Sequence, residues 1–246
     1  LTGTILTGVD LSGMDLTGTI LTRADLSYAN LTGVDLSGKD LTQTILTGSD
    51  LSHTNLTGID LSGTILTGVD LSGKDLTGTI LTGVDLSDVV LTGTILTRAD
   101  LSHATLTGVD LSDKDLTQTV IRRADLSSTN LAGADLIGAD LTGTILTGVD
   151  LSGNYLSNAI LINANFENAT LVNTKFLDAN LDSAILTNAN LRNALLVDAN
   201  LSNAILTGSN LTNAILTGTI LIDANLENAI LTGAILNCVG HPICLS

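Results

Sequence analysis

Residues 199–208 read Ala-Asn-Leu-Ser-Asn-Ala-Ile-Leu-Thr-Gly, and the spacing of the two leucines in this stretch decides the fold. Leu recurs every five residues from Leu1 to Leu236, and 45 of the 48 positions in this register are Leu. The exceptions are Ile121, Phe166 and Phe176. A period of five fits neither an α-helix, with 3.6 residues per turn, nor a β-strand, whose side chains alternate. Fixed short periods are typical of solenoids, which repeat a short extended segment and a turn.

Each five-residue unit carries the features of a corner. Two residues after Leu, Gly stands at 23 positions and Asn at nine, and both tolerate the positive φ that the third residue of a type II turn requires. Two residues before Leu stand mainly Ala, Thr or Val, which share the side of Leu and are predicted to point inward. The Asp, Asn or Ile between them is predicted to point outward. Each buried Leu stabilises the fold by about 1.5–3 kcal/mol and fills the interior.

Units such as residues 24–28, Ala-Asp-Leu-Ser-Tyr, and residues 199–203, Ala-Asn-Leu-Ser-Asn, resemble the pentapeptide-repeat proteins, whose motif is A(D/N)LXX. The resemblance covers Leu1 to about Asn237. It implies an all-β fold, a right-handed quadrilateral parallel β-helix with four units per coil, and hence about 12 coils in a rod about 58 Å long. The N-terminal part departs from the motif, because Thr or Val often replaces Ala, and Ile often replaces Asp or Asn.

A change of composition near residue 150 divides the chain into two zones. One solenoid is predicted over residues 1–236, with an acidic zone at 1–150 and an Asn/Ala-rich zone at 151–236. Residues 237–246 form a tail or cap. The first 150 residues carry 19 acidic and seven basic side chains, and the remainder carries six and two. No linker interrupts the register, so a single domain is expected.

Charge and hydropathy exclude two classes of partner. The net charge of −16 argues against direct nucleic-acid binding, which depends on concentrated positive charge. The mean hydropathy of +0.44 is high, but the apolar runs are short, whereas a membrane-spanning helix needs about 20 apolar residues. Neither direct nucleic-acid binding nor membrane insertion is expected.

Residues 20 apart should stack on one face, and two neighbouring columns of Asp form a predicted acidic ridge. Its members are Asp10, Asp50, Asp70, Asp110 and Asp150 in one column, and Asp15, Asp35, Asp75, Asp115 and Asp135 in the other. Some pentapeptide-repeat proteins bind type II topoisomerases as mimics of DNA, so the resemblance offers this as an alternative function. The charge density opposes it, at about one net charge per 3 Å against about 1.7 Å for duplex DNA. A solvated acidic surface is the other interpretation.

The second column continues as Tyr155, Lys175, Leu195, Ile215 and Ile235. Its last three residues are predicted to form a contiguous outward stripe, with Ile220 and Ile230 on the flanking faces. Exposed apolar stripes often mark protein contacts, although single outward Ile residues are also ordinary on β surfaces. The stripe is the candidate interface for a protein partner or a second copy.

Other unusual residues suggest no catalytic, metal or cofactor site. Lys39, Lys74 and Lys114 occupy the inward position two before Leu. They are either perturbed amines or, as we expect, stems packed near corners with amines that reach outward. His53, His103 and His241 are far apart in sequence, and the first two fall on opposite faces. No Ser-His-Asp or Cys-His arrangement converges, so no enzymatic activity and no cofactor are predicted.

Cys238 and Cys244 lie in the tail, where the register ends and Pro242 appears. They either close a short loop as a disulfide cap, as in an oxidising compartment, or are free thiols, and the sequence leaves both open. At the other end, an uncapped first coil would expose a strand edge, which favours stacking or an upstream partner.

The sequence therefore predicts a non-enzymatic structural or interaction protein. It would present a rigid surface to protein partners or to its own copies, through the coil ends or the C-terminal stripe. The alternative is a DNA mimic that binds a type II topoisomerase through the acidic faces. Binding through the acidic faces would depend steeply on salt, whereas binding through the stripe would not.

Overall fold

The computed structural model describes residues 1–245, with side chains described to residue 244. Isolated parallel β-bridges join residues 20 apart, such as Asp25 with Ile45 and Ile185 with Ile205. Twenty residues are four units, so the chain closes one coil after four units and the next coil stacks on it. Within residues 1–245 the coils are joined by isolated bridges and not by extended strands. The one helix in this range is a 3₁₀ helix, Pro242–Leu245. No helix in this described part is long and apolar enough to cross a membrane.

A type II turn closes nearly every unit at the residue two after Leu; Asp88 is an exception, because it lacks the positive φ. At this corner the φ is positive whether the residue is Gly or Asn, as at Gly148 with 69° and Asn203 with 58°. The main-chain N–H of the next residue donates to the carbonyl of Leu, as from Ala204 to Leu201 at 3.1 Å. This combination of hydrogen bond and positive φ defines the turn. The predicted corners are confirmed.

Main-chain hydrogen bonds hold each coil between its neighbours. Ile185 is typical, because its N–H donates to the carbonyl of Ala164 at 2.9 Å while its carbonyl accepts from Phe166 at 2.7 Å. One outward residue is therefore bonded to the preceding coil through both of its main-chain groups. Such pairing satisfies main-chain groups that would otherwise lack partners in the wall of the solenoid.

Leu and the residue two before it fill the interior, as predicted. Leu141 and Ala164 are fully buried, and the two aromatic substitutes for Leu, Phe166 and Phe176, pack edge to face with ring centroids 6.4 Å apart. Buried Thr side chains are tolerated because their hydroxyls donate to Leu carbonyls, as from Thr174 to Leu151 at 2.9 Å.

Asp140 stands in the outward position before Leu, but a neighbouring side chain covers its carboxylate. It is 7% exposed, and Arg122 lies over it, with Nη2 at 2.6 Å and Nε at 2.7 Å from Oδ2. Thr142 donates its main-chain N–H and its hydroxyl to the other carboxylate oxygen. The ion pair and these hydrogen bonds compensate for the burial of the charge.

The ladder of bridges is continuous in one part of the solenoid and interrupted in another. From the pair Asp135–Tyr155 to the pair Ile220–Val239, every successive pair of outward residues forms a bridge. Among the earlier pairs of the described chain, eight lack one. They are 15–35, 20–40, 50–70, 55–75, 65–85, 90–110, 95–115 and 130–150.

The predicted tail packs on the last coils over its described residues; Ser246 lies outside them. Val239 bridges to Ile220, 19 residues earlier, so the register shortens by one residue where the repeat ends. Cys238, Ile243 and Cys244 contact the core. The tail therefore covers apolar surface that a further coil would otherwise cover.

Candidate interaction surfaces

The Asp and Asn residues before Leu accept hydrogen bonds from the turn that follows. Asp115 Oδ1 accepts the N–H of Thr117 at 3.0 Å and its hydroxyl at 2.7 Å. Asn200 Oδ1 accepts the same two groups of Ser202 at 3.0 and 2.7 Å. An uncharged amide oxygen therefore makes the same turn hydrogen bonds as a carboxylate. Sequence analysis missed this role, although Asp or Asn followed two residues later by Ser or Thr was a usable indication.

These hydrogen bonds hold the pKa of several carboxyl groups below its usual range. At Asp50 and Asp70 the larger cause is the hydroxyl of the Ser two residues on, followed by its main-chain N–H. The same causes, from Ser or Thr, lower the pKa of Asp10, Asp15, Asp35, Asp75, Asp110 and Asp115. A lowered pKa keeps these groups ionised to a lower pH than an ordinary Asp.

The ten Asp residues of the predicted acidic ridge lie on two neighbouring faces, in the two columns expected. All are exposed except Asp135, which is half-buried. Bridges join Asp10 and Asp50 through Asn30, and Asp115 to Asp135. The ladder is interrupted between Asp50 and Asp70, as at several other points along both columns. The ridge is therefore a series of short acidic segments.

The predicted C-terminal stripe lies on one face in consecutive coils. Bridges join Leu195 to Ile215 and Ile215 to Ile235. Ile235 is 47% exposed, and the other two are half-buried. Ile220 and Ile230 are exposed on the flanking faces.

The column continues before the stripe, and two residues that sequence analysis missed, Leu177 and Val197, widen the stripe. Lys175 precedes Leu195 in the column, and its Nζ lies 3.5 Å from the ring centroid of Tyr155, in a cation–π contact. Leu177 and Val197, both half-buried, follow the core residue in two successive coils. Most units have Ser or Thr there, so the aliphatic replacement was a usable indication.

The comparisons with known proteins agree with this geometry. The family model for pentapeptide repeats matches a series of segments, most of them overlapping, that begins at residue 4 and ends at residue 238. The chain belongs to the pentapeptide repeat family. Pentapeptide repeat proteins fold as right-handed quadrilateral β-helices, and they are generally non-enzymatic structural or interaction proteins.

Several solved pentapeptide repeat structures are similar to this chain. HetL of the cyanobacterium Nostoc, involved in heterocyst differentiation regulation, is 31% identical over 98% of this chain and 90% of its own, with a TM-score of 0.26. A pentapeptide repeat protein of the Arabidopsis thaliana thylakoid lumen is 32% identical over 42% of this chain and 68% of its own, with a TM-score of 0.32. QnrB1, a plasmid-mediated fluoroquinolone resistance protein, is 17% identical over 73% and 89%, with a TM-score of 0.41. No curated protein sequence matches significantly.

The three inward lysines of this pentapeptide repeat protein are half-buried. Lys39 Nζ donates to the carbonyl of Leu16 at 2.8 Å, and Lys74 Nζ donates to the carbonyl of Thr54 at 3.2 Å. We expected these two amines to reach outward. Instead they bind main-chain oxygens of the preceding coil. Burial lowers the pKa of Lys74, and the nearby carboxylates of Asp50 and Asp70 oppose that shift.

The His and Cys residues lie where the repeat pattern places them. His53 and His103 are exposed, and His241 Nδ1 accepts the N–H of Ile243 at 3.3 Å. Within residues 1–245 no group of three or more His, Cys, Asp or Glu residues could hold a metal ion. Cys238 and Cys244, whose state the sequence left open, form a disulfide with Cα atoms 5.0 Å apart.

Proposed function

We propose that this protein is a non-enzymatic interaction scaffold. It is a right-handed β-helix of about 12 coils, and it binds a protein partner or a second copy through the C-terminal stripe of Leu195, Ile215 and Ile235. The observation that carries the proposal is the contiguity of this stripe, with Leu177 and Val197 beside it. Contiguous exposed apolar surface is typical of contact sites.

Charge and rigidity favour the C-terminal half for this role. Residues 151–246 carry six acidic and two basic side chains, against 19 and seven in residues 1–150, so a partner would displace less bound water from charged groups. The uninterrupted ladder beneath the stripe fixes its side chains in place. A preformed surface loses little conformational entropy when it binds.

The test replaces Leu195→Asp together with Ile215→Asp. We expect the double variant to lose self-association, measured by sedimentation velocity, or capture of its partner in a pull-down from the native source, by at least tenfold. Ile45→Asp with Ile185→Asp is the matched control, because those outward residues are likewise half-buried and lie outside the stripe. If both readouts stayed at the wild-type level in the stripe variant, the stripe would not be the interface.

A DNA mimic that binds a type II topoisomerase is the second candidate. It is favoured by one observation: Asn200 accepts the same turn hydrogen bonds as Asp115, so the fold does not require the charge of the acidic columns. The low charge density keeps this candidate second. If the protein is a DNA mimic, it should inhibit the supercoiling activity of gyrase, and this inhibition should weaken as salt is added. Absence of inhibition at micromolar protein would rule out the DNA mimic.

A further inference from the structure

A nine-residue motif marks most interruptions of the ladder. The sequence Val-Asp-Leu-Ser-x-Lys-Asp-Leu-Thr occurs at residues 34–42, 69–77 and 109–117. The inward lysine of each copy is flanked by two outward Asp residues, and both of these lack a bridge to the preceding coil. Six of the eight missing bridges in the described chain are therefore at this lysine motif.

At the second copy, the residue 20 positions before the lysine shows how the amine opens the ladder. Where Thr64 stacks on Thr44, the hydroxyl of Thr64 donates to the carbonyl of Leu41 at 3.0 Å and the N–H of Ile65 donates to the carbonyl of Thr44 at 3.0 Å. Where Lys74 stacks on Thr54, the amine of Lys74 takes the carbonyl of Thr54. In a closed ladder that carbonyl would accept the main-chain N–H of Asp75. The lysine amine therefore takes the place of a main-chain donor.

The opening at the second copy is a cleft of about 730 Å³ between residues 48–56 and 68–75. The main-chain N–H groups of Leu51, His53 and Leu56 lie in one wall. In an intact ladder they would donate to the carbonyls of Asp70, Ser72 and Asp75 in the other wall. None of these three bonds forms in the described chain. The walls of the cleft therefore offer a row of main-chain donors facing a row of acceptors.

The charge of the cleft selects the sign of the ligand. Three carboxylates, of Asp50, Asp70 and Asp75, line it against the single amine of Lys74. The net charge of the chain, −16, adds a field that attracts cations. Main-chain donors and acceptors in rows are what an extended peptide pairs with when it adds to a sheet edge.

We propose that the cleft binds an extended basic peptide segment. The peptide main chain pairs with the open walls, and its Lys or Arg side chains meet the three carboxylates. The site is separate from the C-terminal stripe, so its failure would leave the proposed function standing.

The test titrates the full chain with a blocked Lys-Thr-Lys-Thr-Lys peptide and follows amide resonances by NMR. We expect saturable shifts at the amides of Leu51, His53 and Leu56. The same peptide N-methylated at alternate residues, which lacks half of its main-chain donors, should bind at least tenfold more weakly. Spermidine, which carries charge without a peptide main chain, should leave these amides unshifted. Equal binding of either control ligand would mean charge attraction alone and would overturn the proposal.

Two variants separate the cleft from the rest of the surface. Lys74→Thr recreates the pairing of Thr64 on Thr44 and should close the cleft, so the local shifts disappear while the fold is kept. Arg192→Thr makes the same charge change at an exposed position outside the clefts and should bind the peptide as the wild type does. Asp70→Asn with Asp75→Asn keeps both turn acceptors and should weaken binding at least fivefold. Wild-type binding by Lys74→Thr or by the double Asn variant would contradict the proposal.

Discussion

Residues 1–150 and residues 151–236 build the same coil from different side chains. In the first zone the residue before Leu is often Asp, the corner is usually Gly, and the inward position holds Thr, Val or Lys as well as Ala. In the second zone Asn replaces Asp, Asn largely replaces Gly, and the inward position is mostly Ala. The ladder is interrupted in the first zone and continuous in the second.

The comparison separates what the fold requires from what it tolerates. Corners form equally well with Gly and with Asn, and turns are closed equally well by carboxylate and amide oxygens. The inward position is less tolerant, because six of the missing bridges flank a lysine there and the other two, at Asp85 and Asp150, follow an inward Val. Continuity of the ladder therefore depends on the inward residue, whereas the surface charge varies without changing the fold.

Ala194→Lys should produce the largest effect, because it introduces the lysine of the first zone into the second. Ala194 is fully buried and stacks on Thr174, whose carbonyl accepts the N–H of Leu195 at 3.0 Å. The amine should compete for that carbonyl, as Lys74 does at Thr54, and destabilise the protein by about 3 kcal/mol. Chemical denaturation gives the stability, and hydrogen exchange at the Leu195 amide reports the opening.

Ala194→Thr is the matched control for this substitution. Its hydroxyl has a carbonyl within reach, as Thr174 has in Leu151, so the ladder should stay closed. An equally protected Leu195 amide in the Lys and Thr variants would show that the inward residue does not control the ladder.

The sequence predicts the corners, the inward side chains and the stripe because each depends on a local period or on a fixed spacing. A positive φ at Gly148 or Asn203 follows from the residue type and its place after Leu. The openings depend instead on a pair of residues in different coils. Lys74 is recognisable as unusual from the sequence, but its effect depends on Thr54 and on which carbonyl the amine reaches. Strand alternation predicts that the Asp side chains point outward, but it does not predict which groups they accept hydrogen bonds from.

Acid should act on the turns of the first zone and not on those of the second. The N–H of Ser52 donates to Asp50 at 2.8 Å, and the N–H of Ser202 donates to Asn200 at 3.0 Å. The pKa of Asp50 is lowered in the folded protein, so its contribution is complete above its unfolded pKa, about 3.9, and is lost as the pH falls through the lower folded value. Asn200 does not titrate.

An NMR titration from pH 6 downward measures this difference. The amide proton of Ser52 should shift upfield below about pH 4 as its acceptor is protonated, while that of Ser202 should stay unchanged. Parallel shifts of the two amides would mean that the carboxylate is not the acceptor in solution.

Replacing the acidic charge by Asn should have the smallest effect on stability. The triple variant Asp50→Asn, Asp70→Asn and Asp110→Asn keeps an acceptor in every turn, so we expect its thermal midpoint to move by less than about 2 °C. Asp50→Ala is the control, because it removes one acceptor completely. This single variant should lose more thermal stability than the triple variant. If the triple variant were the less stable of the two, the carboxylate charge itself would support the fold, and the Asn-rich zone would need a compensating interaction. A triple variant as stable as the wild type would show that the concentrated charge in residues 1–150 serves a purpose other than folding.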